Sequence, residues 1–409
     1  MNILQLAHRL PWPPVDGGKK GTLGFVDGYR QHTEVSHHGF LCMCPMEELD
    51  LAREWKPEGV ETAIDALNVK NTVAKVIANT LFSSQPFNME KYQRKNFSTL
   101  IEKMIRRVKP DVVHFDSLHT AWYADLVKQR APQALRVLRC HNAEHIILQR
   151  LADAQVDPIR RIVFGIQARR LKRYEAAALE LFDLILAITD ADAARFLNMN
   201  PGIEKRLVVV PAGVNLPTSL PPALPQEGHF RIIHIATMDW LPNQLGLRWF
   251  LSKVLPRLDA MGIDYHLDIV GKNMPEEFYK WRGSRISVHG FVSDLAPIMG
   301  RAQLAVVPIQ VGGGMRVKIL DYWSMGIPVV STRVGAEGLT DATEQVVSLA
   351  DDADCFAQAI LKLSGSPHVR EAMRAAAFRK LCMNYGWSSL VDNLMVRYKA
   401  LLRTKGHNV

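Results

Sequence analysis

Residues 304–332, LAVVPIQVGGGMRVKILDYWSMGIPVVST, decide the fold class of this 409-residue chain. The stretch begins with a continuous apolar run, passes through consecutive glycines at 312–314, and continues into a helical pattern that ends at Gly326. Pro328 then opens a second apolar run. A buried strand, a glycine loop, a helix and another buried strand form one βαβ unit of a parallel sheet that is covered on both faces.

Short apolar runs separated by helical patterns recur along the rest of the chain. This rhythm is typical of doubly wound α/β domains. The predicted strands are 2–7, 33–44, 111–115, 135–140, 184–188, 207–210, 229–236, 265–270, 286–288, 304–307, 328–331 and 345–348. Ligands of such sheets bind at the carboxyl ends of the strands, so we expect two sheets to face each other across a ligand-binding cleft.

A cluster of prolines interrupts this rhythm once, because proline suits neither a helix interior nor a central strand. The prolines are Pro217, Pro221, Pro222 and Pro225. We therefore predict a first Rossmann-like domain over 1–215, a proline-rich linker over 216–228 and a second Rossmann-like domain over 229–386. An amphipathic helix over 387–409 is expected to cross back to the first domain. The chain length also favours two domains.

The composition excludes several classes of protein. Hydrophobic residues make up 48% and charged residues 22%, the balance of a globular protein rather than a disordered one. The amino-terminal apolar run is too short for a signal peptide, and no run reaches the roughly 18 residues of a membrane span, so we expect a cytoplasmic protein. Five cysteines without paired spacing indicate neither a disulfide framework nor a zinc site.

The net charge of +9 favours an anionic partner. Basic residues concentrate in the segment 68–110 and on a predicted helix that carries Arg160, Arg161, Arg169, Arg170, Lys172 and Arg173. Aromatic residues do not interleave with them and no helix-turn-helix pattern accompanies them, so nucleic-acid binding is disfavoured. The hypothesis that remains is peripheral contact with the anionic inner face of a membrane.

Two glycine-containing loops follow predicted strands and are candidate phosphate sites, because glycine lets backbone amides approach an anion closely. One follows the first strand, and the other lies within 304–332. The cations after the second loop sit where the helix dipole disfavours positive charge, so a bound anion explains them better than helix stability does. The candidate phosphate-binding residues are Gly17, Gly18, Gly313, Gly314, Met315, Arg316 and Lys318.

The run 318–332, KILDYWSMGIPVVST, resembles the signature of the family 4 glycosyltransferases, in which an acid on this helix precedes a Gly-x-Pro-Val-Val strand. The stretches 210–215 (VPAGVN), 237–243 (TMDWLPN) and 288–294 (VHGFVSD) extend the resemblance over most of the chain. It implies the GT-B fold, in which two Rossmann-like domains face a central cleft. The first domain would bind the acceptor and the second the nucleotide sugar.

The resemblance also assigns roles to single residues. Asp321 corresponds to a glutamate that holds the nucleotide ribose hydroxyls. Gly313 stands where a second glutamate contacts the donor sugar, so that carboxylate is missing here. His141 corresponds to a histidine beside the donor sugar and the reacting phosphate, and with Arg316 and Lys318 it completes the implied catalytic set.

Four further polar residues follow predicted strands and are weaker candidates for acceptor binding. His114, Asp116 and His119 lie around the end of the strand 111–115. Glu144 follows His141 by one turn, and either orients His141 or caps the next helix. No metal ion is expected, since this fold class neutralises the leaving diphosphate with amides and basic side chains.

The implied function is a retaining, metal-independent hexosyltransferase of polysaccharide biosynthesis. It would move a sugar from a nucleoside diphosphate sugar to a hydroxyl of a glycan or lipid-linked acceptor, with no cofactor besides the donor substrate. Two alternatives stay open. A non-enzymatic sugar-nucleotide-binding or partner-binding protein would explain Gly313. A sugar-nucleotide 2-epimerase shares the architecture but would need paired acid–base carboxylates.

Overall fold

The computed structural model describes residues 1–68, 73–223, 228–312, 315–339 and 343–406. The chain divides into two compact units. Unit 1 combines Met1–Ala212 with Trp387–Val409, and unit 2 is Gly213–Gly386. Each unit is built on a parallel sheet flanked by helices, which confirms the predicted α/β class with two Rossmann-like units.

Seven strands form the sheet of unit 1 in the described part of the chain. They are β1 (Asn2–Ala7), β2 (His37–Pro45), β3 (Val60–Leu67), β4 (Val112–Asp116), β5 (Leu135–Cys140), β6 (Leu184–Ala187) and β7 (Leu207–Val209). Their spatial order is β3-β2-β1-β4-β5-β6-β7, and neighbours pair in parallel. The order reverses at β1, and the carboxyl ends of strands beside such a point are the usual ligand site.

Helices cover both faces of this sheet. Those before residue 212 are α1 (Gly17–Gln31), α2 (Leu49–Glu54), α3 (Val73–Phe82), α4 (Phe87–Glu90), α5 (Lys95–Val108), α6 (Ala124–Arg130), α7 (Glu144–Asp153), α8 (Pro158–Leu179) and α9 (Asp190–Met199). Side-chain caps fix several starts, because the first helical amides lack backbone partners. Asp16 caps α1, Asp157 caps α8 ahead of Pro158, and Thr189 caps α9.

The sheet of unit 2 has the order β10-β9-β8-β11-β12-β13 and is also parallel. Its strands are β8 (Phe230–Ile235), β9 (Tyr265–Val270), β10 (Ile286–Gly290), β11 (Leu304–Val307), β12 (Val329–Ser331) and β13 (Ser348–Leu349). Its helices are α10 (Leu241–Trp249), α11 (Leu255–Ala260), α12 (Glu276–Tyr279), α13 (Ala296–Met299), α14 (Val317–Ser324), α15 (Ala353–Gly365) and α16 (Pro367–Asn384). A π-helical turn, Phe250–Val254, joins α10 to α11.

The last helix, α17 (Trp387–Thr404), belongs to unit 1 and packs along α1. Glycines on α1 make this close approach feasible. A Cβ on Gly24 would lie 2.0 Å from the Trp387 ring, and a Cβ on Gly28 would lie 2.5 Å from Val391. The face of the sheet beneath α1 and α17 is apolar toward the amino-terminal ends of its strands, where Ile3 is one of the buried residues.

The proline-rich stretch, as far as the structure describes it, contains no helix or strand over 215–223. It is attached to unit 2, because the guanidinium of Arg374 donates hydrogen bonds to the carbonyl oxygens of Pro221 and Gly326, at 2.5 and 2.6 Å. No helix within the described ranges has the length and apolar content needed to cross a bilayer.

Three strand predictions needed correction. The strand β3 was missed, because VETAIDAL lies at the sheet edge and its alternating polar residues leave it half-exposed. Residues 33–36 form a turn rather than the start of β2. In this turn the amide of Val35 donates to the carbonyl of His32, and the amide of Ser36 donates to the carbonyl of Met1. In place of 345–348, the structure has the two-residue strand β13, and 345–347 precede it as a turn.

Candidate functional site

The polar residues of unit 1 lie at the carboxyl ends of β1, β4 and β5. Side chains two residues apart on a strand share a face of the sheet. The face that carries the buried apolar residues Ile3, Val112 and Val137 therefore also carries three polar residues nearer the carboxyl ends of the same strands, namely Gln5, Asp116 and Arg139. Strand register brings these ends level, with Ala7 opposite Asp116 and Asp116 opposite Arg139. These polar side chains therefore form a buried cluster at the carboxyl edge of the sheet.

Asp116 is the centre of this group. Its Oδ1 accepts hydrogen bonds from Arg139 Nη1 at 3.0 Å and from His141 Nε2 at 2.6 Å, and its Oδ2 accepts one from Gln5 Nε2 at 3.0 Å. Burial raises the pKa of the Asp116 carboxyl, but the charge of Arg139 and the interaction with His141 outweigh burial and hold that pKa well below its usual value. Asp116 is therefore a buried carboxylate.

His141 is oriented by this carboxylate. Because a carboxylate accepts but does not donate, Nε2 of His141 carries the proton that faces Asp116, which leaves Nδ1 as the acceptor of the neutral ring. Burial and the charge of Arg139 lower the pKa of His141 despite Asp116. Glu144, expected either to orient His141 or to cap the next helix, instead accepts a hydrogen bond from Asn142 Nδ2 at 3.2 Å. It is the first residue of α7.

Two acidic side chains missed by sequence reasoning hold the turn that carries His141. Glu175 on α8 accepts hydrogen bonds from the Glu144 amide at 3.0 Å and from His145 Nδ1 at 2.5 Å. Asp192 on α9 accepts the Ala143 amide at 3.3 Å. Burial and the nearby Glu175 raise the pKa of Glu144 to about 7, so this carboxyl titrates near neutrality.

An aromatic cluster lies beside His141. The rings of His8 and His119 stack with centroids 4.4 Å apart, and Tyr92 meets both rings edge-on. Ser117 turns the chain toward His8 with φ of 113°, a region that non-glycine residues rarely adopt, and its hydroxyl bonds His119 Nδ1 at 2.7 Å. Burial lowers the pKa of His119 to about 3 and that of His8 well below its usual value, so both rings are neutral.

His114, the remaining acceptor candidate, does not join this cluster. It lies on the face of β4 that packs against α1 and α17, where its Nδ1 is 2.7 Å from the hydroxyl of Tyr29. The hydroxyl of Tyr29 in turn lies 2.9 Å from that of Tyr398. His114 is fully buried within this packing, and burial lowers its pKa to about 4.

The first glycine loop is shaped by its own side chains. Gly17 and Gly18 begin α1, whose cap Asp16 accepts the Lys19 amide at 2.9 Å and pairs with Arg9 at 2.7 Å. A Cβ on Gly18 would lie 2.2 Å from Arg9 Nη2, so the Arg9 side chain packs directly against this glycine. Burial raises the pKa of Asp16, but Arg9 and the Lys19 amide outweigh burial and lower it.

The second loop lies in unit 2, and its residues Gly313 and Gly314 fall outside the described residues. Met315 is partly exposed, and Arg316 follows it as the residue that precedes α14. The Arg316 guanidinium carbon lies 4.8 Å from the centre of the Trp240 ring, a cation–π contact. A Cβ on Gly312, whose φ is +140°, would meet both of these side chains within 3 Å.

Lys318 and Asp321 follow on α14, three residues apart, a spacing that puts them on the same side of the helix. Lys318 Nζ donates to Asn243 Oδ1 at 3.3 Å. Burial and the charge of Arg316 lower the pKa of Lys318 to about 7, while Asp321 opposes this shift. The Lys318 ammonium is thus only partly compensated, and an anion bound beside it would restore its usual protonation. Trp240 and Asn243 were not predicted from the sequence.

The structure thus places the predicted residues in two groups. His141 and Asp116 are in direct contact in unit 1, with His119 nearby, whereas Arg316, Lys318 and Asp321 lie together in unit 2. Within the described ranges, no group of three or more His, Cys, Asp or Glu side chains is arranged to hold a metal ion.

Solved structures share this architecture over nearly the whole chain. Sucrose-phosphate synthase from Thermosynechococcus elongatus has a TM-score of 0.70 at 16% identity and covers 99% of this chain and 100% of its own. Anabaena HepE in complex with UDP has a TM-score of 0.66 at 13% identity, covering 98% and 100%. A glycosyltransferase from Rickettsia africae has a TM-score of 0.62 at 14% identity, covering 98% of each chain. The fold is therefore that of the GT-B proteins.

Family models divide between the two units. The model described as "Glycosyltransferase Family 4" matches residues 49–217, and that described as "Glycosyl transferases group 1" matches residues 229–366. This chain belongs to the family 4 glycosyltransferases. A relative from Klebsiella pneumoniae, an uncharacterized 44.6 kDa protein in the cps region, is 26% identical over 267 residues. That match spans 61% of this chain and 65% of the relative, just under two thirds of the relative's length.

Proposed function

We propose that this protein transfers a hexose from a nucleoside diphosphate sugar to a hydroxyl acceptor, with retention at the anomeric carbon and without a metal ion. The observation that carries this proposal is the group formed by Arg316, Lys318 and Asp321 at α14. Two cations at the positive end of a helix are unfavourable unless an anion binds there, and a diphosphate fits that requirement. The carboxylate one turn later suits ribose hydroxyls.

In the proposed reaction, the bond between the anomeric carbon and the diphosphate oxygen breaks while the acceptor oxygen bonds to the same face of that carbon. The leaving diphosphate takes the proton of the acceptor hydroxyl. Negative charge grows on the diphosphate as it leaves, so Arg316 and Lys318 stabilise the transition state more than the bound donor. The contact between Arg316 and Trp240 favours a fixed guanidinium position before the donor arrives.

We assign His141 to the transferred sugar, the role implied by the family resemblance. Its hydrogen bond to Asp116 supports this role, because a buried carboxylate both orients the ring and stabilises positive charge that develops near it. The neutral rings of His8 and His119, with Tyr92, form a surface suited to a sugar of the acceptor. Such a surface offers stacking and hydroxyl contacts rather than cations for a phosphate.

The substrate classes draw support from relatives. HepE has been crystallised with UDP and with UDP-glucose, and the Klebsiella relative lies in a cps region. We therefore propose a nucleotide-sugar donor and a glycan or lipid-linked acceptor of polysaccharide biosynthesis, handled in the cytoplasm at the inner face of a membrane. Gly313 replaces the usual carboxylate that contacts the donor sugar, so donor choice depends on other residues.

The test is release of nucleoside diphosphate from UDP-, GDP-, ADP- and TDP-sugars, with and without glycan acceptors, followed by analysis of the anomeric linkage. We expect acceptor-dependent release with one base, and a loss of about tenfold to a thousandfold in Arg316→Ala and Lys318→Ala. Lys253→Ala, an exposed lysine of unit 2, is the control. Acceptor-independent epimer formation, or nucleotide binding without turnover of any donor, would contradict the proposal.

A further inference from the structure

Unit 1 exposes an unusual concentration of large apolar side chains on α3 and around the start of α8. On α3, Ile77, Leu81 and Phe82 are 50%, 68% and 87% exposed, and around the start of α8, Val156, Ile159 and Ile162 are 99%, 72% and 62% exposed. We call these six residues the apolar patch. Single exposed apolar residues are ordinary, but a grouped set of this size indicates contact with a membrane or another protein.

Hydrogen bonds join α3 to α8, the two helices that carry the apolar patch. Arg170 donates hydrogen bonds to the carbonyls of Asn79 and Thr80 at 3.1 and 2.9 Å, and Gln167 Nε2 donates to Thr80 Oγ1 at 3.1 Å. Phe82 lies two residues beyond Thr80. Ile162 precedes Gln167 by five residues, which is about 8 Å along a helix axis. Partly buried hydrogen bonds therefore hold together the two helices that carry the patch.

Basic residues outnumber acidic ones on the segments that carry the patch. Residues 158–173 contain six Arg or Lys and no Asp or Glu, and residues 73–89 contain no acid. Along α8, Ile162, Arg169 and Arg173 lie seven and four residues apart, so an apolar stripe continues into a basic one on the same side of the helix. Arg160, beside the stripe, has a 74% exposed side chain, and its Nε lies 3.7 Å from the carboxylate of Asp157.

We propose that the apolar patch and the basic residues of α8 dock unit 1 on the surface of an anionic phospholipid bilayer. Apolar side chains enter the boundary between headgroups and acyl chains, while arginines bind lipid phosphates. The charge of this surface favours a bilayer over a protein partner, because the concentrated positive charge around the patch complements an anionic leaflet. Docking through this surface holds the protein where a lipid-linked acceptor lies. The role of the surface therefore rests on the proposed function.

The test is co-sedimentation of the full chain with vesicles of phosphatidylcholine alone or mixed with phosphatidylglycerol, at low and high salt. We expect binding to the mixed vesicles and weak binding to phosphatidylcholine. Replacing two charges, Arg160→Gln with Arg161→Gln, should weaken binding about 25-fold, because each basic residue near such a surface contributes about fivefold. Phe82→Ser with Ile162→Ser should weaken it at least about tenfold at either salt concentration.

Val396→Ser is the matched control, since Val396 is a 64% exposed apolar residue on α17 of the same unit. It should bind vesicles as the wild type does, and thermal melting should show all variants folded. Equal vesicle binding by the wild type and both double variants would overturn the proposal. Self-association without lipid that Phe82→Ser abolishes would also overturn the proposal, since the patch would then be an interface between copies of this chain. The assay contains no donor or acceptor, so its outcome is separate from that of the transfer assay.

Discussion

The replacement Asp116→Asn tests the arrangement that orients His141. Asp116 and Arg139 are both buried and joined at 3.0 Å, and the Arg139 guanidinium packs against Gly21, where a Cβ would lie 2.5 Å from Nη2. Asparagine preserves the shape and one acceptor oxygen but leaves the Arg139 charge without its counter-charge. Breaking a buried pair in this way costs about 3–5 kcal/mol of folding free energy.

Hydrogen exchange at the amides of β4 and β5 is the appropriate assay, because it reports opening of unit 1 in a chain with two units. Asp50→Asn is the control. Asp50 pairs with Arg53, but both side chains are largely exposed, so no measurable change is expected. A loss below about 1 kcal/mol in Asp116→Asn would refute the reasoning that this carboxylate compensates Arg139.

The effect of pH on this variant has a definite sign. The folded-state pKa of Asp116 is held below its usual value of 3.8, so its ionised form contributes stability above that value, and the contribution is lost as pH falls through the folded-state pKa. The difference in unfolding free energy between wild type and Asp116→Asn should therefore be constant from pH 5 to pH 8. It should shrink below about pH 4, and a constant difference at lower pH would contradict the assignment.

Three further predictions concern ligand binding and packing. Nucleoside diphosphate affinity, measured by calorimetry, should fall as pH rises above about 7, because the Lys318 ammonium loses its proton there; Lys318→Ala should remove this dependence. Asp321→Ala should weaken the same affinity by roughly 1.5–3 kcal/mol while Asp321→Glu retains it, and equal affinity in all three proteins would exclude ribose binding. Gly24→Ala should destabilise unit 1 by about 1–3 kcal/mol through the Trp387 ring, whereas Gly165→Ala, with open space around it, should not.

Four strands were predicted with the bounds that the structure shows, and all four lie in the interior of their sheets. The bounds of β1, β5, β9 and β11 agree with the predictions, because most residues of an interior strand are buried and hydrophobic even where a polar residue such as Gln5 or Arg139 interrupts them. Among the strands that the structure describes, β3 was missed altogether, since its edge position allows polar residues. The local sequence pattern predicts such strands because the burial of each strand is reflected in the hydrophobicity of its own residues.

The contacts of the candidate site could be predicted less well. His141 and Asp116 were each identified at a strand end, but their pairing depends on the order β1-β4-β5, which local pattern does not encode. Arg139 is buried in β5, and its burial depends on contacts with residues distant in sequence: the space left by Gly21, the ring of Phe25 and the carboxylate of Asp116. Trp240 is distant in sequence from Arg316, so their stacking appears only in the folded unit.

The most direct test of the central claim is the comparison of His141→Ala with wild type in three measurements on one preparation. If His141 acts on the transferred sugar, nucleoside diphosphate affinity should stay within about threefold, while the transfer rate falls at least about a hundredfold. The melting temperature should account for little of that loss. A variant that is destabilised but transfers sugar at a near-normal rate per folded molecule would contradict the claim and make His141 a structural residue of the Asp116 network.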